Sequence, residues 1–276
     1  SHCDLNHHTM IINQEKFWKT LPNFIWSGED LDVSVLFWQP LFEKMSEKVK
    51  VGICGQGADE LHAGYSRYRD LSQHAKSIDN RLSLIGDVSI DEKSMGLGQP
   101  WIDDNFSAKD NFSNLGDTLQ FELDRGQLTN FQLRLGDRHS MAFGLETRVP
   151  FLSQKHRRDS HKIPFEWKIS DTNEKMALRA AANLTNLPKN IINRPKIPAG
   201  TSTTPKILGG LISELTPHAL EWAKEYGRLS PILIDQPDMA IGIRLFHALH
   251  FTDYSNGLRK GNVMDLVDDV SDWNNL

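Results

Sequence analysis

Lys50-Val51-Gly52-Ile53-Cys54-Gly55-Gln56-Gly57-Ala58-Asp59-Glu60 is the stretch on which the fold turns. A short apolar, partly β-branched run gives way to two glycines flanking one residue and then to an acid pair. That is the order of a buried strand, a tight turn and a helix start. The glycines let the backbone approach a ligand closely, and amides exposed beyond the carboxyl end of a strand can hold an anion where the next helix begins. Asp59 suits Mg²⁺ in such a place, because Mg²⁺ takes one or two protein carboxylates alongside phosphate oxygens. The same residues also suit a plain strand-to-helix turn with Asp59 as an N-terminal charge, and composition alone does not separate the two.

Upstream, residues 16–26 place Phe17, Leu21, Phe24 and Ile25 at helical intervals, with Pro22 as an interruption, and residues 38–48 repeat an amphipathic pattern. Both are expected to pack on a sheet. Downstream, residues 71–107 are polar and weakly periodic, an irregular insertion with one short helix over 78–85. From Phe112 the helical spacing strengthens through Leu115, Leu119 and Leu123, then Leu128, Phe131 and Leu135. Further helices are expected over 174–184, 206–226 and 239–251, and the acidic tail from Asp265 is expected to fray. The chain is therefore α/β at its start and mostly helical afterwards.

Two more segments carry charge in unusual company. Residues 137–152 read Asp-Arg-His-Ser-Met-Ala-Phe-Gly-Leu-Glu-Thr-Arg-Val-Pro-Phe-Leu, where buried, paired charges are expected, Glu146 with Arg148 or with Arg138. Residues 193–201 hold Arg194-Pro195-Lys196 and Pro198, a rigid loop able to fix the Lys196 charge. By contrast, His2, Cys3, His7 and His8 match no zinc spacing, the run 155–158 reads as a solvated turn, and the seven Trp read as packing residues. His62 reads as a packed or surface side chain, because no second ligand lies near it in sequence.

The bulk numbers bound the partners. With 276 residues, 31 basic and 36 acidic side chains and a net charge of −5, neither nucleic acid nor an anionic membrane is favoured. Two cysteines, Cys3 and Cys54, give no disulfide framework, and a reducing cytoplasm is the expected setting.

Together the three segments resemble the synthetase domain of the asparagine synthetase family. The family's Ser-Gly-Glu/Gln-Gly-x-Asp-Glu followed by Gly-Tyr appears as residues 54–60 and then Gly64-Tyr65. Its Asp-Arg-x-Ser-Met-Ala-x-x-x-Glu-x-Arg-x-Pro-Phe-Leu is met at every specified position from Asp137 to Leu152. Lys175 with Leu178-Arg179, Leu187-Pro188 and Arg194-Pro195-Lys196 then fall in the family's register. The resemblance spans about residues 5–205.

It implies an ATP-pyrophosphatase parallel-sheet core with ATP and Mg²⁺ as cofactors. Aspartate, or another small carboxylic acid, would attack the α-phosphate to form an acyl-AMP, and ammonia would displace AMP. By carry-over Cys54, Gly55 and Gly57 would line the nucleotide or acyl-adenylate site, Asp59 would hold Mg²⁺, and Lys196 would stabilise developing charge. Gln56 would stand at the acceptor position, with Asp137, Arg138, Glu146 and Arg148 supporting the site. The chain then reads as one synthetase domain: the remaining nucleotide core over 1–75, an insertion over 76–110, and a mainly helical portion with the lysine loop over 111–276. A homodimer is compatible with it.

Departures sharpen these expectations. The family's pyrophosphate loop, Ser-Gly-Gly-x-Asp-Ser, occurs nowhere in the 276 residues and is expected upstream of Ser1. The glutaminase domain that would deliver ammonia is absent as well, since Cys3 lacks the context of its nucleophile. Loss of about three phosphate contacts would remove roughly 5–9 kcal/mol, a rate factor of about 10³ to 10⁶. Gln56 replaces a frequent Glu and cannot accept a proton, Cys54 replaces Ser, His62 replaces Phe and Ser153 replaces Asp. Alternatives are a β-lactam-forming or other-acid amidating relative, to which Gly200-Thr201-Ser202-Thr203-Thr204 points, and a catalytically dead scaffold of the same fold.

Overall fold

A computed structural model describes residues 5–11, 13–29, 35–85, 107–124, 126–197, 205–251 and 263–268. Cys3, most of the expected insertion and residues 198–204 with the Gly200–Thr204 stretch lie outside the described residues. The chain is mostly helical, and its only described sheet has two parallel strands, β1 (Val51–Ile53) and β2 (Glu146–Arg148), in register Val51 with Glu146 and Ile53 with Arg148.

The largest core is built where the sequence carries no motif. Leu21, Phe24 and Ile25 of α1 (Gln14–Gly28) close on Leu215, Ala219 and Trp222 of α11 (Pro205–Glu225), with α12 (Ser230–Asp235) alongside. Ile241, Leu245 and Leu249 of α13 (Pro237–His250) and Leu266 of α14 (Val263–Asp268) complete it. Burying this apolar face outweighs local preferences. It carries α1 straight through Pro22, although proline removes the bond to the Trp18 carbonyl. It also holds the start of the acidic tail, where frayed chain was expected, since Leu266 and Val267 are fully buried.

Other expectations change too. Helix α1 packs mainly on helices rather than on a sheet, and α2 (Trp38–Ser46) lies chiefly against α7 (Arg134–Met141). Residues 71–85 form a continuous 15-residue helix, α4 (Leu71–Ile85), not a short one in an irregular run. Its anchors are Ala75 and Ile78, which join a small cluster with Ala108 of α5 (Ala108–Asn111), Phe112 and Phe121 of α6 (Leu115–Asp124). Residues 155–158 are helical within α8 (Gln154–His161) rather than a turn. Trp222 is buried as expected, whereas Trp167 is 62% exposed.

The strand, too, is not buried. Gly52 faces inward, where an added Cβ would come within 2.8 Å of Met45, while Val51 and Ile53 face out, Ile53 78% exposed. Parallel strands are ordinarily covered on both faces. Here the outward face of β1 and β2 carries Val51, Ile53, Glu146 and Arg148 in the open.

Candidate functional site

The site grows from the turn after β1. The Cys54 N–H donates to the Arg148 carbonyl at 2.8 Å and extends the ladder by one residue. Gly57 then turns the chain with φ +86 into α3 (Ala58–His62). A side chain there would be strained and its Cβ would lie 2.3 Å from Leu152 Cδ2. Gly57→Ala is therefore expected to cost about 1–3 kcal/mol, read as a lower midpoint in urea unfolding; an unchanged midpoint would refute the assigned strain. Gly55 is open, with nothing within 4 Å of an added Cβ.

Asp59 occupies the first turn of α3, its side chain 13% exposed, between two ammonium groups. Lys175 Nζ lies 2.7 Å from Oδ1 and Lys196 Nζ lies 3.0 Å from Oδ2. The contact to Oδ1 is an ion contact without hydrogen-bond direction, since Oδ1 is buried and has no hydrogen-bond donor. Gly64 permits this crowding: its added Cβ would meet Asp59 Oδ1 at 1.9 Å and Lys175 Cε at 2.5 Å.

Glu174 sets the lysine loop. Its Oε1 accepts from the Lys196 N–H at 3.1 Å and pairs with Arg179 of α9 (Met176–Ala182), while Oε2 pairs with Arg69 at 2.9 Å. Burial works against the Glu174 charge, but the Lys196 N–H and Arg179 outweigh it and hold the carboxyl below its ordinary range. Beneath Lys196 lies the Tyr65 ring, its centroid 5.3 Å from Nζ. The Tyr65 hydroxyl donates to buried Glu60 and accepts from Gln132 Nε2, each at 2.9 Å. Burial, above all, raises the Glu60 carboxyl above its usual value.

Of the residues expected from sequence, Asp59 and Lys196 meet directly, and the turn holding Cys54, Gly55 and Gly57 leads into α3. Gln56 points elsewhere in its contacts: Nε2 donates to the Gln132 carbonyl at 2.7 Å, in the π-helical turn Leu128–Leu133, and Oε1 lies against Gly136. Glu146 and Arg148 pair at 2.9 Å but stand exposed, contrary to the expected burial, because the outward sheet face is open. Arg138 reaches Gly28 O at 2.9 Å and Glu29 at 3.1 Å instead of Glu146. Asp137 is exposed on α7.

Lys175, Glu174 and Tyr65 are the contributors that sequence reasoning left without a role. The signal for Lys175 lay in its register beside Leu178-Arg179, and that for Tyr65 in the Gly-Tyr pair.

His139, inside the second motif, is fully buried on Phe24, with ring centroids 4.2 Å apart, and meets the Gln39 amide at 2.7 Å. Burial, reinforced by Arg138, depresses its imidazole from 6.5 to about 4. The unfolded chain thus takes up a proton below pH 6.5 that the folded chain refuses until about pH 4. Stability contributed by neutral His139 is complete above pH 6.5 and is lost as the pH falls toward 4. Urea unfolding at pH 4.5 should show about 2–3 kcal/mol less stability from this group than at pH 7. His139→Leu should flatten that slope; an equal slope in the variant would sink the assignment.

A divalent cation fits only in company. Among the described residues no three His, Cys, Asp or Glu side chains gather as a cage. Asp59 offers one carboxylate whose Oδ1 retains acceptor capacity, the number Mg²⁺ uses when phosphates complete its shell. Nor is any helix among the described residues long and apolar enough to cross a membrane.

Comparison with known proteins adds the ancestry. Residues 1–226 match the family described as asparagine synthase. The chain is 24% identical over 234 residues to asparagine synthetase [glutamine-hydrolyzing] 1 of Bacillus subtilis (strain 168), covering 68% of this chain and 36% of that protein. It is 25% identical over 240 residues to a putative asparagine synthetase [glutamine-hydrolyzing] of Mycobacterium bovis, with coverage of 69% and 36%. A putative asparagine synthetase [glutamine-hydrolyzing] 1 of Methanocaldococcus jannaschii is 24% identical over 185 residues, with coverage of 65% and 27%. The chain thus spans about a third of the length of these relatives.

Proposed function

The chain belongs to the asparagine synthase family, a ligase-type family, and from that premise we propose that it supplies the charge-handling part of an ATP-dependent, amide-forming site. The observation that carries this reading is Asp59 held between Lys175 and Lys196 at the helix start after the glycine turn. A carboxylate substrate, aspartate by the relatives' names, attacks the α-phosphate of ATP to give acyl-AMP and pyrophosphate. Ammonia then displaces AMP to give the amide.

Both steps concentrate negative charge, first on phosphate and then on a tetrahedral oxyanion. Asp59 would hold Mg²⁺, which when bound neutralises phosphate oxygens. With Asp59 so engaged, the two ammonium groups are free to turn toward those oxygens. Gly55, open at its Cβ position, keeps the turn bare for close approach beside Cys54, while Gly57 makes the turn against Leu152. Gln56 has one of its two amide N–H groups engaged with Gln132, which leaves the second N–H and Oε1; Oε1 can accept a hydrogen bond from a nucleophile but cannot accept its proton.

The phosphate loop itself comes from outside the 276 residues in this reading. The exposed Val51 and Ile53 on a two-stranded parallel sheet support it, because a further parallel strand beside β1 would bring a loop to the Cys54–Gly57 turn and its crossover helix would cover that face. The test is exchange of labelled pyrophosphate into ATP. The 276-residue chain alone should give no exchange above background, and a protein extended to the relatives' length should give acid-dependent exchange. Exchange by the chain alone would refute the proposal.

A further inference from the structure

The structure gives His62 a partner that the sequence did not suggest. Its Nε2 lies 2.9 Å from Nε2 of His156 on α8, with ring centroids 5.1 Å apart. Phe151 packs against both rings. His62 is 2% exposed, and its Nδ1 has no hydrogen-bond partner. We infer that His62 and His156 share a proton and thereby position α3, and with it Asp59, and that the tie persists with no or one added proton but opens when both rings are charged.

The chemistry is that of two imidazoles facing through the same atom. Neutral rings form the bond with one Nε2 donating and the other accepting. One added proton leaves an imidazolium donating to a neutral ring, so the bond survives. A second proton makes both nitrogens donors, and the rings must part. His62 and Asp59 lie three residues apart on the five-residue α3, one turn from each other on the same side. A helix that short has no stability of its own, so its anchors fix it. Leu61, packed with Leu123, Leu128 and Phe151, Glu60, bonded to Tyr65, and Asp59, between its lysines, are among them, and the imidazole pair ties the helix to α8.

The surroundings oppose the second proton. Facing His62 are His156 from α8, Lys168 beside the turn Phe165–Trp167 and Lys175 before α9. On the attractive side stands Asp59 of its own helix, while Glu122 of α6 is engaged with Arg67. Burial first, then these cations, lower the His62 imidazole from 6.5 to about 4, Asp59 offsetting part. The same lysines disfavour a metal cation between the rings. His62 is thus a positioning residue, acting on the site through α3.

Imidazole ¹⁵N and backbone amide spectra of the 276-residue chain across pH 8 to 3.5 test this. The pair should titrate in two macroscopic steps more than about one pH unit apart. The amides of residues 58–62 should stay still through the first step and shift in the second. In His62→Phe, which fills the site without a proton, the part of that low-pH shift that depends on the pair should vanish, leaving the titration of carboxylates and of His139. His156→Leu should do the same and stands in if the first variant does not fold. Independent single steps at the ordinary imidazole value, or α3 amides that move with the first proton, would overturn the inference. So would low-pH profiles that coincide in wild type and variants, or stoichiometric Zn²⁺ uptake that moves both imidazoles.

Discussion

Lys196→Ala, made in a protein of the relatives' full length, is expected to lower kcat for amide formation about 10²–10³-fold, as the loss of one aimed cation from a charge-stabilising site does elsewhere. The fold should survive. The backbone N–H of residue 196 still donates to Glu174, so the loop keeps its course, and Asp59 keeps Lys175 at 2.7 Å. Because Lys175 stays, the Asp59 charge is not left uncompensated, and the large cost of breaking a buried pair from one side does not arise. The effect should therefore appear in kcat and barely in the unfolding midpoint. Unchanged amide formation would remove Lys196 from the chemistry.

Glu174→Ala should do the reverse, with its largest effect on stability. The carboxylate is 8% exposed and gathers Arg69, Arg179 and the Lys196 N–H, so its removal takes the carboxylate partner from two guanidinium groups, which keep only carbonyl acceptors such as Ser170 O and Ile192 O, and the acceptor from the Lys196 N–H. Breaking such a buried arrangement from one side costs about 3 kcal/mol or more. Urea unfolding of the 276-residue chain reads this directly, and Glu174→Gln, which retains one accepting oxygen, should lose less. A midpoint within error of wild type would show that Arg69 and Arg179 find other acceptors and that Glu174 does not set the loop.

What the sequence reveals and what it conceals divide along physical lines. The Gly55–Asp59 turn was legible because positive φ and close approach demand glycine, and no other residue type meets both demands cheaply. The meeting of Asp59 with Lys196, 137 residues away, followed from motif order rather than from any local signal. Lys175 and Glu174 were harder, since a lysine and a glutamate before a helix look like any solvated pair until the chain folds back. The course of α1 through Pro22 and the burial of Leu266 and Val267 were illegible for another reason. Both depend on the apolar surface offered by α11 and α13, a tertiary gain that local propensity does not contain. Glu146 and Arg148 were misjudged because charges among apolar neighbours read as buried, whereas this sheet leaves its outward face open.

The central claim is that the site joins a carboxylate to the α-phosphate of ATP. It is tested most directly by isotope transfer in a protein of the relatives' length, using aspartate labelled with ¹⁸O in its side-chain carboxylate. Amide formation should place one ¹⁸O in AMP and none in pyrophosphate, and Asp59→Asn should abolish the transfer along with the product. Label appearing in inorganic phosphate with ADP as co-product, or product formed with no label in AMP, would contradict the account.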